Sequence, residues 1–498
     1  MIRKNIPPLR QGLMSWPERL PRIALPGLGL RVSERLLLLG TVDCGLLAAA
    51  LIVAVKIRTD WLDAPGALLA NWKWFATLFV LWWAVAQVAD AYHLPRTASA
   101  PYSILAAAPA AAVTAMIYQW IPVITPPLAS RKLSLLFLLL AVAFITVWRG
   151  LYAVLLVQPA FQRRVLVLGA GWAGRTLVQA IHGSVDGRTP NPFRGNGAVV
   201  VGFVDDDPAK QQAGEVAGVP VLGSSADLPR LARKLAADDV VLAITHRNTI
   251  LQEAFDALLA CQELSFHVTT MPAIYEELFG RVPVEHVGRN VNAVLPIENG
   301  SAVERLYGVV KRASDLAAAV AGLVVLALLI PVVALANALA SPGSLFYHQT
   351  RVGRGGKLFR IIKFRTMRPD AEANGAVWAT ANDDRVTPIG RWLRRTRLDE
   401  LPQMINVLRG EMSIIGPRPE RPEFVEHLAR EIPFYRARHA IRPGITGWAQ
   451  VRFGYGNSVE HARIKLEYDL YYVRHAGFYL DALILLKTAA VMLGLRGR

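Results

Sequence analysis

Two adjacent carboxylates, Asp399 and Glu400, lie directly downstream of Arg394, Arg395 and Arg397 and two residues before Pro402. Acids set among arginines are kept ionised, and the same cations attract phosphate. Adjacent acids can also divide labour, one attacking phosphorus while the other holds a hard divalent cation through oxygen. The plain alternative is helix capping, because Pro402 fits a first helical turn and carboxylates are favoured there. Two further patterns favour phosphate chemistry. Gly416-Pro417-Arg418-Pro419-Glu420 presents an arginine from a rigid turn, and Arg442-Pro443-Gly444 does the same. Rigid cation presentation is what phosphoryl transfer needs. Upstream, LFRIIKFRTMRPD reads as a strand in which Lys363 and Arg365 point the same way, a pair that suits a diphosphate or, equally, a solvated basic edge. No Walker lysine loop, HExxH or GxSxG occurs in this part of the chain, which argues against P-loop kinases and zinc or serine hydrolases.

What must position these groups is largely apolar. The 498 residues are 53% hydrophobic and 19% charged, with a mean hydropathy of +0.32. That is too apolar for a wholly soluble protein and excludes disordered and collagen-like chains. The length suggests three units at about 100 to 200 residues each. A formal charge of +17 implies an anionic partner: nucleic acid, membrane headgroups or a phosphorylated substrate. Cys44 and Cys261 are the only cysteines, which gives neither a disulfide framework nor a zinc site and fits a reducing compartment.

Residues 1–35 form a basic, proline-broken tail without the apolar core of a signal peptide. Four apolar stretches follow in 36–160, roughly Leu36 to Val55, Trp72 to Ala91, Ile104 to Ile124 and Leu133 to Val157, each near the about 20 residues that span a bilayer. Trp72, Trp74, Trp120 and Trp148 fall towards their ends, where indole favours the headgroup zone. Basic residues before the first stretch and Arg163 and Arg164 after the fourth place both ends in the cytoplasm. Asp43, inside the first stretch, is either functional or the partner of Thr41 or a neighbouring helix.

Over 163–295 short β-rich runs (VLVLGA, VVVGFVDDD, VPVL, DDVVLAI and LSFHVTT) alternate with amphipathic segments, the pattern of a parallel α/β, Rossmann-like unit. Its first turn carries Gly169, Gly171 and Gly174 at GxGxxG spacing, which lets backbone approach a pyrophosphate at a helix N-terminus or simply packs helix on sheet. Asp205 closes the next strand, where a ribose-binding acid would stand, but farther along than the usual spacing.

The third unit, 303–498, holds an apolar run interrupted by Pro331 and flanked on both sides by lysine and arginine. With both flanks cytoplasmic, a re-entrant helix over about 313–340 that dips into one leaflet is expected rather than a fifth crossing. This unit contains 29 Lys and Arg against 17 Asp and Glu, so most of the positive excess sits beside the dipping element. GFYLDALILLKTAAVMLGL near the end reads as a surface-lying or packing helix. The fold class is therefore a membrane α-helical bundle, an α/β Rossmann-like domain and an α+β catalytic domain with a re-entrant membrane helix.

The third unit resembles the bacterial sugar transferase family, the polyprenyl-phosphate hexose-1-phosphate transferases. The matching residues follow in order: Lys311, Arg312 and Asp315; the proline-bent apolar segment; Lys363-Phe364-Arg365-Thr366-Met367; Leu398 to Gln403; GPRPE; Arg442 to Val451; and Tyr468-Asp469-Leu470-Tyr471-Tyr472. Four spans and a Rossmann-like unit ahead of it resemble the long, exopolysaccharide-associated form. The resemblance implies that Asp399 is the nucleophile on the sugar-bearing phosphorus of a UDP-sugar, and that Glu400 helps bind Mg²⁺. It further implies that UMP leaves and that the sugar phosphate passes to undecaprenyl phosphate. Lys363, Arg365, Arg394, Arg418 and Arg442 are the candidate phosphate contacts. The expected setting is the bacterial inner membrane, with several spans and the catalytic domain on the cytoplasmic face. Two departures are Ile330, where some members carry Ser before the proline, and Arg397, at a position often Ser.

The chief alternative is a membrane-bound NAD-dependent nucleotide-sugar dehydratase or epimerase, suggested by the glycine turn and by Tyr307 and Lys311 at YxxxK spacing. A non-catalytic assembly protein that binds headgroups is a third reading. Nucleic acid is disfavoured, since no recognition motif accompanies the basic residues. The oligomeric state, a homo-oligomer included, stays open.

Overall fold

In the computed structural model the described residues are 34–57, 70–92, 100–121, 131–156, 163–182, 198–244, 251–287, 302–340, 342–368, 384–453 and 458–492, with short pieces at 24–25, 30–31, 97, 125–126 and 371. Most of the basic tail, the close of the Rossmann-like unit at 288–295 and the residues past Met492 lie outside them.

Four apolar helices come first: Glu34–Lys56, Trp72–Val88, Ala100–Tyr118 and Arg131–Leu151. Small and aromatic side chains interlock between them, with Ala107, Ala111 and Ala141 letting backbones approach Leu78, Trp82, Tyr118 and Phe137. Among the described residues, the segments long and apolar enough to cross a membrane are Leu36–Lys56, Ala100–Tyr118, Arg131–Val154 and Ala302–Leu339. The second helix stops at Val88 and turns through residues 89–92, short of the expected Ala91. Trp72 and Trp120 are exposed at helix ends, whereas Trp74 is buried inside the bundle and accepts the Tyr118 hydroxyl on its carbonyl. Asp43 is the helix partner rather than a lone charge: it pairs with Arg149 of the fourth helix at 2.5 Å.

Among the described residues the Rossmann-like unit holds a four-stranded parallel sheet with the order 198–204, 163–168, 239–242, 267–270. VPVL is not one of its strands. Val219–Pro220 instead pairs with Glu215–Val216 in a separate two-stranded antiparallel ribbon, joined to the sheet by one bridge from Val221 to Phe203. The first crossing helix, Trp172–His182, begins at the glycine turn.

The third unit is α+β. Its long helix runs over Ala302–Ala340 with Pro331 inside, starting earlier than the expected 313. Proline offers no N–H to the Ala327 carbonyl, the usual physical cause of a kink. Both ends of the apolar part touch the same folded unit. Asp315 accepts from the Ser413 hydroxyl at 3.1 Å and the Ile414 amide at 2.9 Å, and Asn337 accepts from Arg365 at 2.8 Å. Between those ends Leu326 and Val333 pack on Phe364 and Leu393. The opposite face exposes Val320, Val324, Leu328, Val332, Leu335 and Leu339. These contacts all run to one unit and leave most of the apolar surface of the helix exposed. Beside it lie an antiparallel hairpin, Phe346–Val352 with Leu358–Phe364, and a parallel pair, Ser413–Ile415 with Gly444–Thr446.

Candidate active site

The acids sit on a 3₁₀ turn, Leu398–Gln403, and the following α-helix, Met404–Arg409, starts only after Pro402. Arg397 ends the preceding helix, Pro388–Thr396, in the left-handed region at φ 60°. A non-glycine residue there is strained, and it reverses the chain sharply into the acids. Leu398 and Leu401 flank the pair and pack on the cluster of Leu326, Val333, Phe364 and Leu393. The side chains between them, Asp399 and Glu400, are 9% and 8% exposed. Capping does not account for them, since Glu400 is engaged by side-chain cations and no side-chain cap bond is made at the start of either helical segment.

Glu400 Oε1 accepts from Lys363 Nζ at 2.8 Å and from Arg418 Nη2 at 2.6 Å. Burial alone would raise its pKa, but Arg418 and Lys363 outweigh that and hold the carboxyl far below its ordinary range. Asp399 has the opposite balance. Burial, then the negative charge of Glu400, raise it above the ordinary aspartate value, while Lys363, Arg394 and Arg418 pull it down without reversing the shift. Burial likewise lowers Lys363, against the support of Glu400. Among the described residues no hydrogen bond is made to the Asp399 carboxylate. One acid is thus locked by two cations, and its neighbour stands unbonded in their field. A carboxylate in that position can attack an electrophilic phosphorus.

Supports come from far along the chain. Arg394 Nε donates to Thr366 Oγ1 at 2.9 Å, and a Cβ on Gly390 would overlap the Thr366 carbonyl, so that close approach needs glycine. Asn406, fully buried, receives the Ile362 amide at 3.2 Å and donates to the Arg360 carbonyl at 2.8 Å and to Glu411 at 2.7 Å. It ties the strand bearing Lys363 to the helix that follows the acids. Behind Arg418, the buried Arg438 Nη2 donates to the Arg418 carbonyl at 3.0 Å and to Asp469 Oδ2 at 2.6 Å. Burial pushes Asp469 up to about 6, against the pull of Arg438. Sequence reasoning passed over Asn406 and Arg438. The available signal was an amide inside the apolar run Met404-Ile405-Asn406-Val407-Leu408, where a buried polar group needs partners.

Lys363, Asp399, Glu400 and Arg418 therefore come together, with Arg394 close enough to act on Asp399. Arg365 goes elsewhere. The strand ends at Phe364, so the expected alternation breaks, and Arg365 Nε donates to the Ser344 carbonyl while Nη2 binds Asn337, both at 2.8 Å. It anchors the far end of the long helix instead of sharing a face with Lys363. Arg442 precedes the strand Gly444–Thr446, which pairs with Ser413–Ile415 just before Arg418; it is half-buried.

The glycine turn is built differently. Gly169 has φ 104°, and a Cβ on Gly174 would overlap the Gly169 carbonyl, so both glycines are required by the backbone. The amide of Ala170 donates to Asp205 Oδ2 at 2.7 Å, and Lys210 binds the same oxygen at 2.9 Å. Tyr307 and Lys311, the YxxxK pair, both bond Asp481 of the C-terminal helix, at 3.0 and 2.8 Å. They form a joint between helices within the catalytic unit, and the glycine turn belongs to the separate parallel sheet.

A parallel-sheet domain behind apolar helices, followed by an α+β unit with a buried acid pair under three cations, defines a membrane-associated transferase-like architecture. The chain belongs to the bacterial sugar transferase family: the model of that family matches residues 306–494, and a CoA-binding domain model matches 87–252. The N-acetylgalactosaminephosphotransferase of Aeromonas hydrophila that acts with UDP-N-acetylgalactosamine and undecaprenyl phosphate is 41% identical over 256 residues, 51% of this chain and 59% of that protein. The UDP-glucose:undecaprenyl-phosphate glucose-1-phosphate transferase of Xanthomonas campestris pv. campestris is 34% identical over 282 residues, 56% of this chain and 57% of its own. The chain thus spans little more than half the length of these two relatives. The exopolysaccharide production protein PSS of Rhizobium leguminosarum bv. phaseoli is 41% identical over 189 residues, 36% of this chain and 93% of that protein.

Proposed function

We propose that the protein transfers a hexose-1-phosphate from a UDP-sugar to undecaprenyl phosphate, through a covalent sugar-phosphoryl intermediate on Asp399, at the start of exopolysaccharide repeat-unit synthesis. The observation that carries this reading is the asymmetry of the acid pair: Glu400 is held by Lys363 and Arg418, while Asp399 is buried among the same cations without a hydrogen bond from a described residue.

In the first step an Asp399 carboxylate oxygen forms a bond to the sugar-bearing phosphorus. The bond from that phosphorus to the bridging diphosphate oxygen breaks, and UMP leaves with the electron pair. In the second step a phosphate oxygen of undecaprenyl phosphate attacks the same phosphorus and Asp399 departs as carboxylate. One cleft serves two bulky substrates in turn. Lys363, Arg394, Arg418 and Arg442 would neutralise the diphosphate. The greasy face of the long helix would bring the cleft to the bilayer surface, on the cytoplasmic side of the inner membrane by the distribution of basic residues.

The donor set also suits Mg²⁺. Glu400 Oε1 is taken by cations, and its other oxygen, which accepts no hydrogen bond from a described residue, would share the ion with substrate phosphates. Bound there, the ion would offset charge on the diphosphate.

The test is a panel of UDP-sugars, headed by UDP-glucose and UDP-N-acetylgalactosamine, given to purified protein with and without undecaprenyl phosphate. Stoichiometric UMP without acceptor, with the sugar phosphate found by mass spectrometry on the peptide bearing Asp399, is the expected result. UMP formation strictly dependent on acceptor, with no labelled peptide, would overturn the covalent route.

A further inference from the structure

Among the described residues, the second helix of the bundle and its exit turn meet the C-terminal helix of the catalytic unit, and the chemistry of that contact points to a role for the bundle. Asp90, Ala91 and Tyr92, which follow the second helix, each bond a different element. The Asp90 carboxylate takes the Lys487 ammonium of the C-terminal helix, Phe478–Met492. The Ala91 carbonyl accepts from Arg149 Nη1 at 2.7 Å. The Tyr92 hydroxyl donates to Asp43 Oδ2 at 2.9 Å and accepts from Trp82 Nε1 at 2.7 Å. Lys487 and Asp90 are 4% and 6% exposed, and Asp43 and Arg149 are 0% exposed. Buried ion pairs of this kind add little net stability but fix one arrangement, because breaking either partner strands a charge.

The C-terminal helix has two working faces. Asp481 holds Lys311 and Tyr472, and Thr488 meets Thr446 at 2.7 Å, which binds the helix to the catalytic unit. Tyr479 and Lys487, two turns apart, face the bundle. Tyr479 meets Trp83, whose ring lies 6.0 Å from its own, and is acted on by Gln87, while Lys487 meets Asp90. Trp83, Gln87 and Asp90 recur at i, i+4 and i+7, one continuous face of the second helix and its exit turn.

We infer that Asp90 and Lys487, with Trp83, Gln87 and Tyr479, are positioning residues that set the height and tilt of the cleft above the bilayer, so that the bundle serves delivery of the lipid acceptor and not the chemistry on the nucleotide sugar. The inference rests on the transferase reading above. A soluble donor reaches the cleft at any tilt, whereas an acceptor confined to the membrane plane reaches it at only one.

The full chain in vesicles of phosphatidylethanolamine and phosphatidylglycerol containing undecaprenyl phosphate tests this. Lys487→Met is expected to keep the acceptor-free UMP burst and to raise KM for undecaprenyl phosphate about tenfold, with Lys487→Arg restoring it. Amide exchange over 478–492 should quicken in Lys487→Met and stay slow in Lys487→Arg. Asp90→Asn, which keeps the shape of the side chain, carries the same test if Lys487→Met fails to accumulate. Unchanged exchange in both neutral variants overturns the latch, and so does a loss of the UMP burst equal to the loss of lipid transfer. Wild-type protein that forms no UMP overturns the transferase reading alone, which the substrate-free exchange data tell apart.

Discussion

The acid turn at Asp399 and the glycine turn at Gly169 both read in the sequence as places for phosphate, and they are built in opposite senses. At the acid turn the cations outnumber the anions they hold: Lys363 and Arg418 share one oxygen of Glu400, and Arg394 also acts on Asp399. At the glycine turn a carboxylate of the protein already stands against the loop, with Asp205 taking the Ala170 amide and Lys210. Burial works to raise Asp205, yet the Asp207 amide, Lys210 and the Ala170 amide hold it below its ordinary value. A motif read as a phosphate cradle is thus satisfied from within in one unit and left with surplus positive charge in the other. Spacing alone does not distinguish the two; the partner of each polar group does.

The hardest blow to this contrast is Asp399→Asn. It should lower UMP formation at least about 10³-fold while melting as wild type does, and turnover close to wild type would remove the nucleophile. Glu400→Gln comes next. It should weaken the Mg²⁺ dependence of turnover about 10- to 100-fold, read as the metal concentration for half-maximal rate; an unaltered dependence would take the ion away from Glu400. Arg394→Gln then sharpens the electrostatics. Asp399 reacts as carboxylate and its value is already raised, so turnover should fall on acidification at a higher pH than for an ordinary aspartate. Removing Arg394 takes away a cation that lowers that value, so the acid limb should move further towards alkaline pH while the plateau of the profile keeps its shape. A limb that stays put would mean that another group titrates.

The smallest effect belongs to the glycine turn. Asp205→Ala should leave UMP release unchanged and cost about 1 kcal/mol of stability for a lost hydrogen bond, measured by thermal melting. Because the folded value of Asp205 is depressed, its contribution is present above the ordinary carboxylate range and disappears as pH falls through the depressed value. The melting gap between variant and wild type should therefore close in acid. A turnover defect in Asp205→Ala would erase the difference between the two sites.

Much of this was legible in the chain. The apolar helices, the parallel sheet and the acid pair under arginines follow from local pattern, because hydropathy, alternation and clustered charge are properties of neighbouring residues. Contacts across long separations were not legible. Arg365 lies two residues from Lys363 yet parts from it because the strand ends at Phe364, and its partner Asn337 comes from the long helix. Asp90 and Lys487 are nearly 400 positions apart, and neither stands in a pattern that names the other. Asp399 and Glu400 were readable as reactive or as caps with equal ease. The 3₁₀ turn after Arg397, the two cations on Glu400 and the lack of a side-chain cap bond at either described helical segment separated them from a helix start.

That left-handed residue has an evolutionary side. Arginine at φ 60° carries a backbone penalty of roughly 1–2 kcal/mol that glycine would escape. Saturation mutagenesis at position 397 should accordingly sort into a lopsided spectrum. Glycine and asparagine should outlive the parent on heating, valine and isoleucine should be lost first, and any variant that gains heat resistance while losing turnover would show that the guanidinium is retained for what it does to substrate rather than for the fold.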